Sequence, residues 1–413
     1  MKQKDAMLDI RATRRAFIGF LAAHLAVPKP VLARDFLRLD ASQMRTYPAL
    51  RIRLGEDFRL QLANDLDAPL ALHWRGLRLP NNMDGVPGLT QNAIAPGDLL
   101  DMGFTPPDAG TFLYHPSLRS HAVMQMARGC VGLLIVEEKQ PPQTDADLAI
   151  LLSESINENG ERIILANGRR QLETMALPPR ARIRLRIGNG SSRSIMAIGL
   201  EGAKAQVAAI DGQPCGLFEP ARQRLPLVPG SRYDLFFDLP AHADAHVAFV
   251  LHGAGEASQP ILRFRTQGPA RAQLEPFAGL PENPKLPVRI TLEKSRRAEL
   301  VIDQAADGRS WRLNEQGADE IGPKPFLSIP RGTPVTLNLV NRSKWAQIIH
   351  VHGHALRQIH ALDDGWEPYW RDSVVVPEGR NVRIAFVADN PGKWLVAGGF
   401  GLGEGPVGWF EVT

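Results

Sequence analysis

Gln347-Ile348-Ile349-His350-Val351-His352-Gly353-His354 places three histidines two residues apart behind a β-branched run. β-Branched residues favour strands, and residues two apart on a strand share a face. The spacing therefore predicts that His350, His352 and His354 point the same way. Neutral imidazoles in that arrangement suit a first-row metal such as copper or zinc. A polar strand face that happens to carry histidines is the other reading. On either side, Pro334–Val340 and Asn381–Val387 also read as strands.

The same character extends outward over the whole chain. Its 413 residues are enough for two or three domains, and 37 Gly and 33 Pro supply many turns. Arg51–Leu54 and Phe58–Leu62 alternate polar and apolar residues, as half-buried strands do. So does Arg182–Ile187, whose three arginines read as a solvated strand face. Asp84-Gly85, Asn189-Gly190, Asp211-Gly212 and Pro229-Gly230 are turn signals. No long amphipathic helix is evident. The expected fold is all-β, with three sandwich domains over 34–140, 141–275 and 276–413. The proline-rich stretch Pro269–Pro287 reads as a connector.

Residues 1–33 read as an export signal. Thr13-Arg14-Arg15-Ala16-Phe17 matches a twin-arginine motif, an apolar run follows to Val27, and Val31-Leu32-Ala33 offers a cleavage site. The run is short for a membrane anchor, so the mature chain is expected to have no membrane span and to lie in the periplasm. Removing six Lys/Arg and two Asp from totals of 48 and 44 leaves 42 of each sign. A neutral mature chain gives no electrostatic case for nucleic acid. Cys130 and Cys215 are the two cysteines, and they could form one disulfide in an oxidising compartment.

An ordered set of motifs resembles the multicopper oxidase superfamily, built from cupredoxin domains, and its bacterial periplasmic branch in particular. The first domain carries Leu72-His73-Trp74-Arg75-Gly76, Asp84-Gly85-Val86-Pro87-Gly88, Ile94-Ala95-Pro96-Gly97 and Gly110-Thr111-Phe112-Leu113-Tyr114-His115. The second carries Asp211-Gly212 and Pro229-Gly230-Ser231-Arg232-Tyr233-Asp234. The third carries the histidine stretch, Arg371-Asp372-Ser373-Val374 and Ala388-Asp389-Asn390-Pro391-Gly392-Lys393-Trp394.

The resemblance implies a blue copper held by two His and a Cys, and a trinuclear cluster held by four His-x-His pairs. At the matching positions the first pair is His73 and Arg75, the second His115 and Ser117, and the third His350 and His352. After Trp394, where a His-Cys-His block belongs, the chain reads Leu395-Val396-Ala397-Gly398-Gly399-Phe400. Gln347 and Gly403 stand at or near the blue-copper histidines. His73, His115, His350 and His352 are thus the metal-ligand candidates, for one copper ion at most. His73 and His350 match positions of the single copper of the cluster, and His115 and His352 positions of its copper pair. His354, His121 and His360 are weaker candidates, and His242, His246 and His252 have no compelling spacing.

Arg75 adds a permanent cation where the resemblance places a ligand. No catalytic residue is assigned. Trp74 and Tyr114 read as interface packing, and Trp366, Tyr369 and Trp370 beside Asp363-Asp364 as core aromatics. Met124 and Met126 are too few for a methionine-rich copper loop, which disfavours a copper store. The expectation is a non-catalytic envelope protein. It is similar to the copper-free, twin-arginine-exported cell-division member of the superfamily, so its partners would be envelope or division proteins. The alternative is a copper-binding oxidoreductase using the residual histidines.

Overall fold

A computed structural model describes residues 37–42, 49–253, 258–360, 365–399 and 405–413. The expected signal peptide, Asp363-Asp364 and the segment 400–404 lie outside them. Among the described residues no helix is long and apolar enough to cross a membrane.

The chain folds into three consecutive β-sandwiches. In the first, Leu37–Asp40, Phe58–Ala63 and Leu99–Phe104 face a sheet ordered Ala49–Arg53, Gly132–Glu137, Gly110–Pro116, Leu72–Arg75. The inward residues Leu60, Leu62, Trp74, Phe112, Tyr114 and Leu134 form its core. The second packs a five-stranded sheet on a six-stranded one around Ile183, Leu185, Phe249 and Phe264. The third does the same around Val335, Leu337, Phe386, Trp394 and Phe410. Each sandwich therefore buries its own apolar faces, the main source of its stability.

Several expectations change on folding. The one α-helix among the described residues, Arg119–Ala127, had no sequence signal strong enough to anticipate it. Trp74 and Tyr114 are core of the first sandwich, 5.7 Å apart, and not an interface. Trp370 is buried, while Trp366 and Tyr369 are half-buried around the arginines Arg357 and Arg371. Cys130 and Cys215 are not joined. The Pro269–Pro287 stretch is more than a connector. Phe277 stacks on Phe236 at 3.9 Å, and the buried Asn283 bonds the backbone of Ala109 and the side chain of Gln213. It straps the first sandwich to the second.

The largest correction concerns the arginines of Arg182–Asn189. They are buried, with Arg184 at 0% exposure and Arg186 at 1%. Arg184 donates two hydrogen bonds to Glu138 at 2.7 and 3.0 Å, and two to Asp234 at 2.7 and 3.1 Å. Arg186 forks onto Asp147, which also takes Arg51. Thr111 Oγ1 donates to Asp234 Oδ1 at 2.6 Å. The polar face of the strand is the joint between the first two sandwiches. Each guanidinium there meets carboxylates, which is the condition for burying charge.

Candidate metal centre

The strand Leu72–Arg75 is buried on both faces. Leu72 and Trp74 point into the first sandwich, so His73 and Arg75 point outward, toward the third. His115 lies directly across the ladder from His73, and directly opposed residues share a face. The third sandwich presents Gln347–Val351 against them, paired to Ser373–Val376 on one side and Gly392–Ala397 on the other. His350 is the last-but-one residue of that strand.

The three histidines of 350–354 do not share a face. The strand ends at Val351, and a turn follows at Gly353, whose φ is +66°. A Cβ at Gly353 would lie 2.3 Å from the Trp394 ring. His352 leaves the turn toward the first sandwich. His354 leaves it toward the core of the third, packed by Phe386, Trp394 and Phe410 at 5.2 to 5.5 Å. It is a core histidine.

Four candidates therefore meet at the joint of the first and third sandwiches. His73 Nε2 lies 3.1 Å from His350 Nε2. The His73 and His352 rings stack at 3.9 Å, and His115 lies edge-on to His73 at 5.5 Å. One ligand atom from each of His73, His350 and His352 falls within 4.8 Å of the others. No other such group of three occurs among the described residues. His121, His242, His246, His252 and His360 are not part of it.

The outer nitrogens settle the tautomers. His73 Nδ1 lies 2.8 Å from the carbonyl of Asp84, His350 Nδ1 2.8 Å from that of Asp372, and His115 Nδ1 2.8 Å from that of Pro116. His352 Nδ1 lies 2.9 Å from Asp84 Oδ2. These partners only accept, so each Nδ1 carries the proton and each Nε2 presents a lone pair inward. This is the arrangement that prepares an imidazole to bind a metal. Gly85, at φ +79°, brings Asp84 beneath the strand: a Cβ there would lie 1.8 Å from the Leu72 carbonyl.

The Nε2 atoms surround a cavity of about 60 Å³, enough for an ion with water. His115 Nε2 is buried without a hydrogen-bond partner. Two neutral imidazoles facing lone pair to lone pair at 3.1 Å repel unless a cation lies between them. The donor set therefore fits a single metal ion better than it fits a vacant joint.

Burial favours the neutral form of His115, His350 and His352. It pushes His115 and His350 well below the ordinary histidine value and His352 to about 4; Arg75 adds to the shift at all three. Burial would raise the Asp84 carboxyl, but His352 and His73 outweigh it and hold it low. His354 falls to about 4, chiefly by burial.

The remaining matched positions are engaged in other bonds. Arg75 Nη2 donates to Ser373 Oγ at 2.7 Å, and Ser117 Oγ donates to the Gly85 carbonyl. Gln347 Nε2 donates to Ser343 Oγ at 3.1 Å and contacts the Trp345 carbonyl at 3.4 Å. Gly403 lies outside the described residues.

Sequence comparison places two multicopper oxidase family profiles on the chain, over residues 42–141 and 283–397. The multicopper oxidase MmcO of Mycobacterium tuberculosis is 25% identical over 455 residues, which covers 95% of this chain and 86% of that protein. Copper resistance protein A of Pseudomonas syringae pv. tomato is 37% identical over 114 residues, 27% of this chain and 18% of that one. Among solved structures, the multi-copper oxidase of Pseudomonas thermotolerans superposes with a TM-score of 0.77 at 26% identity, covering 88% of this chain and 91% of that one. Lac15 from a marine microbial metagenome gives 0.73 at 30% identity with the same coverage.

Proposed function

Since the chain belongs to the multicopper oxidase superfamily, we propose that it is a periplasmic member reduced to a single copper site, with a structural role in the envelope. His73, His350 and His352 would hold the ion, with His115 beside it. The observation that carries this reading is the 3.1 Å approach of His73 Nε2 to His350 Nε2 across two sandwiches, with each Nδ1 turned to a backbone carbonyl. An ion there would join the two ends of the chain.

The donor chemistry does not fit the family's full copper complement. A blue copper needs a thiolate, and no cysteine follows Cys215. Arg75 and Ser117 stand in two of the His-x-His pairs, and neither is a ligand for a second or third ion of a cluster. The residue that would carry electrons from a substrate surface to the cavity in the family's pattern is that cysteine, and it is missing here. Laccase-type turnover is therefore not expected, and no step through copper is derived. Export of the folded protein by the twin-arginine route is proposed from Thr13-Arg14-Arg15 and the apolar run after them, and partners in the envelope or division machinery from the sequence resemblance alone.

A second reading is that the ion serves as a one-electron redox centre for a small substrate. The lone pair of His115 and the space beside it favour this. An optical spectrum after copper loading, with oxygen uptake measured on a phenol, separates the readings. A weak ligand-field band and no uptake support the structural role. Oxygen uptake that depends on His350 supports the oxidoreductase instead.

A further inference from the structure

Arg75 lines the cavity, and beyond its failure to serve as a ligand it carries a charge that neither reading above employs. It follows His73 by two residues on one strand, points to the same side, and is 4% exposed. Its neighbours fix it in place. Nη2 donates to Ser373 Oγ, which donates in turn to the Asp372 carboxylate. Nε faces Gly230 of the second sandwich, where a Cβ would lie 2.4 Å away. Asp372 binds Arg232 directly at 2.6 Å, whereas its carboxylate is 3.8 Å from Arg75. Arg232 is itself pinned by the carbonyls of Thr111, Asp211 and Gly230. The carboxylate charge is thus directed mainly at Arg232, and that of Arg75 is left less balanced, against the cavity wall.

We propose that Arg75 is a resident cation of the metal cavity, clamped by all three sandwiches, which opposes the entering ion and keeps the site to weak, single occupancy. This rests on the reading of His73, His350 and His352 as the ion site. A buried unit charge in a low-dielectric cavity repels a divalent ion far more than a solvated one does. Only the charge matters to this effect, so Lys should substitute for Arg and a neutral chain of similar length should not.

The test is copper(II) titration of the mature full-length chain and of Arg75→Met, Arg75→Gln and Arg75→Lys. Metal analysis gives stoichiometry, competition with a chelating dye gives affinity, and thermal melts confirm folding. Arg75→Met and Arg75→Gln should bind copper at least tenfold more tightly than the unaltered chain, with Arg75→Lys within about threefold of it. If neither neutral variant binds more tightly, or if Arg75→Lys tightens as much as they do, the proposal fails while the copper site stands. If the unaltered chain binds no ion but Arg75→Met does, Arg75 opposes the ion as proposed, but weak occupancy of the unaltered site and the functional reading both fall.

Discussion

Arg184→Met tests whether the charged face of the second sandwich is buried as described. The substitution keeps length and removes the guanidinium. Arg184 makes four hydrogen bonds of 2.7 to 3.1 Å to Glu138 and Asp234, at 0% exposure. Arg186 remains near both carboxylates, but only at 3.3 Å from Asp234 and 3.8 Å from Glu138. Removing one partner of a buried charge pair costs roughly 3–5 kcal/mol, because the other charge is left without compensation. For a unit of this size, at about 3–4 °C per kcal/mol, melting should fall by about 9–20 °C. The loss should appear first as separation of the first two sandwiches, since Glu138 belongs to one and Arg184 to the other. Thermal melts followed by tryptophan fluorescence, with limited proteolysis of the 139–145 segment, would measure both. A change below about 1 kcal/mol would mean that the arginines are solvated after all, as their alternation suggests.

Acid should destabilise the metal-free protein between pH 7 and 4.5. Burial lowers His115, His350, His352 and His354, the last two to about 4, whereas unfolded histidines protonate near pH 6.5. The unfolded chain then binds more protons across this window, so stability is lost as pH falls. Asp211 opposes this, because burial and Asp372 raise it to about 6, but it is one group against four. Urea midpoints at pH 7, 5.5 and 4.5 should decline in that order; a flat or rising series contradicts the burial of these imidazoles. Chelation should shift thermal melting by less than about 2 °C, since each sandwich has its own core and a weakly held ion adds little by mass action; a drop of 10 °C would show that the ion holds the fold together. Replacing Arg14 and Arg15 with Lys should leave unprocessed precursor in the cytoplasm, and undiminished periplasmic delivery would rule out the twin-arginine route.

The strands, the turns and the superfamily were legible because alternation and glycine placement are local signals. So was the meeting of His73 and His115 with His350 and His352, though only through the motif order. Two features were not legible. Arg182, Arg184 and Arg186 alternate as a solvated face does, and nothing local reveals that Glu138 and Asp234 will cover them. His354 keeps the spacing of His350 and His352, yet the turn at Gly353 sends it into the core. In the first case tertiary contacts decide which side of a strand is the outside; in the second a turn breaks the strand period after Val351. The orientation of Arg75 likewise depends on Ser373 and Asp372, nearly three hundred residues away in the chain.

Copper(II) titration of the mature chain, followed by electron paramagnetic resonance and repeated on His350→Ala and His73→Ala, tests the single-ion site most directly. One ion per chain with a type 2 signal, lost in both variants, is the expected result. An intense thiolate-to-copper band, two or more ions per chain, or binding indifferent to both substitutions would contradict it.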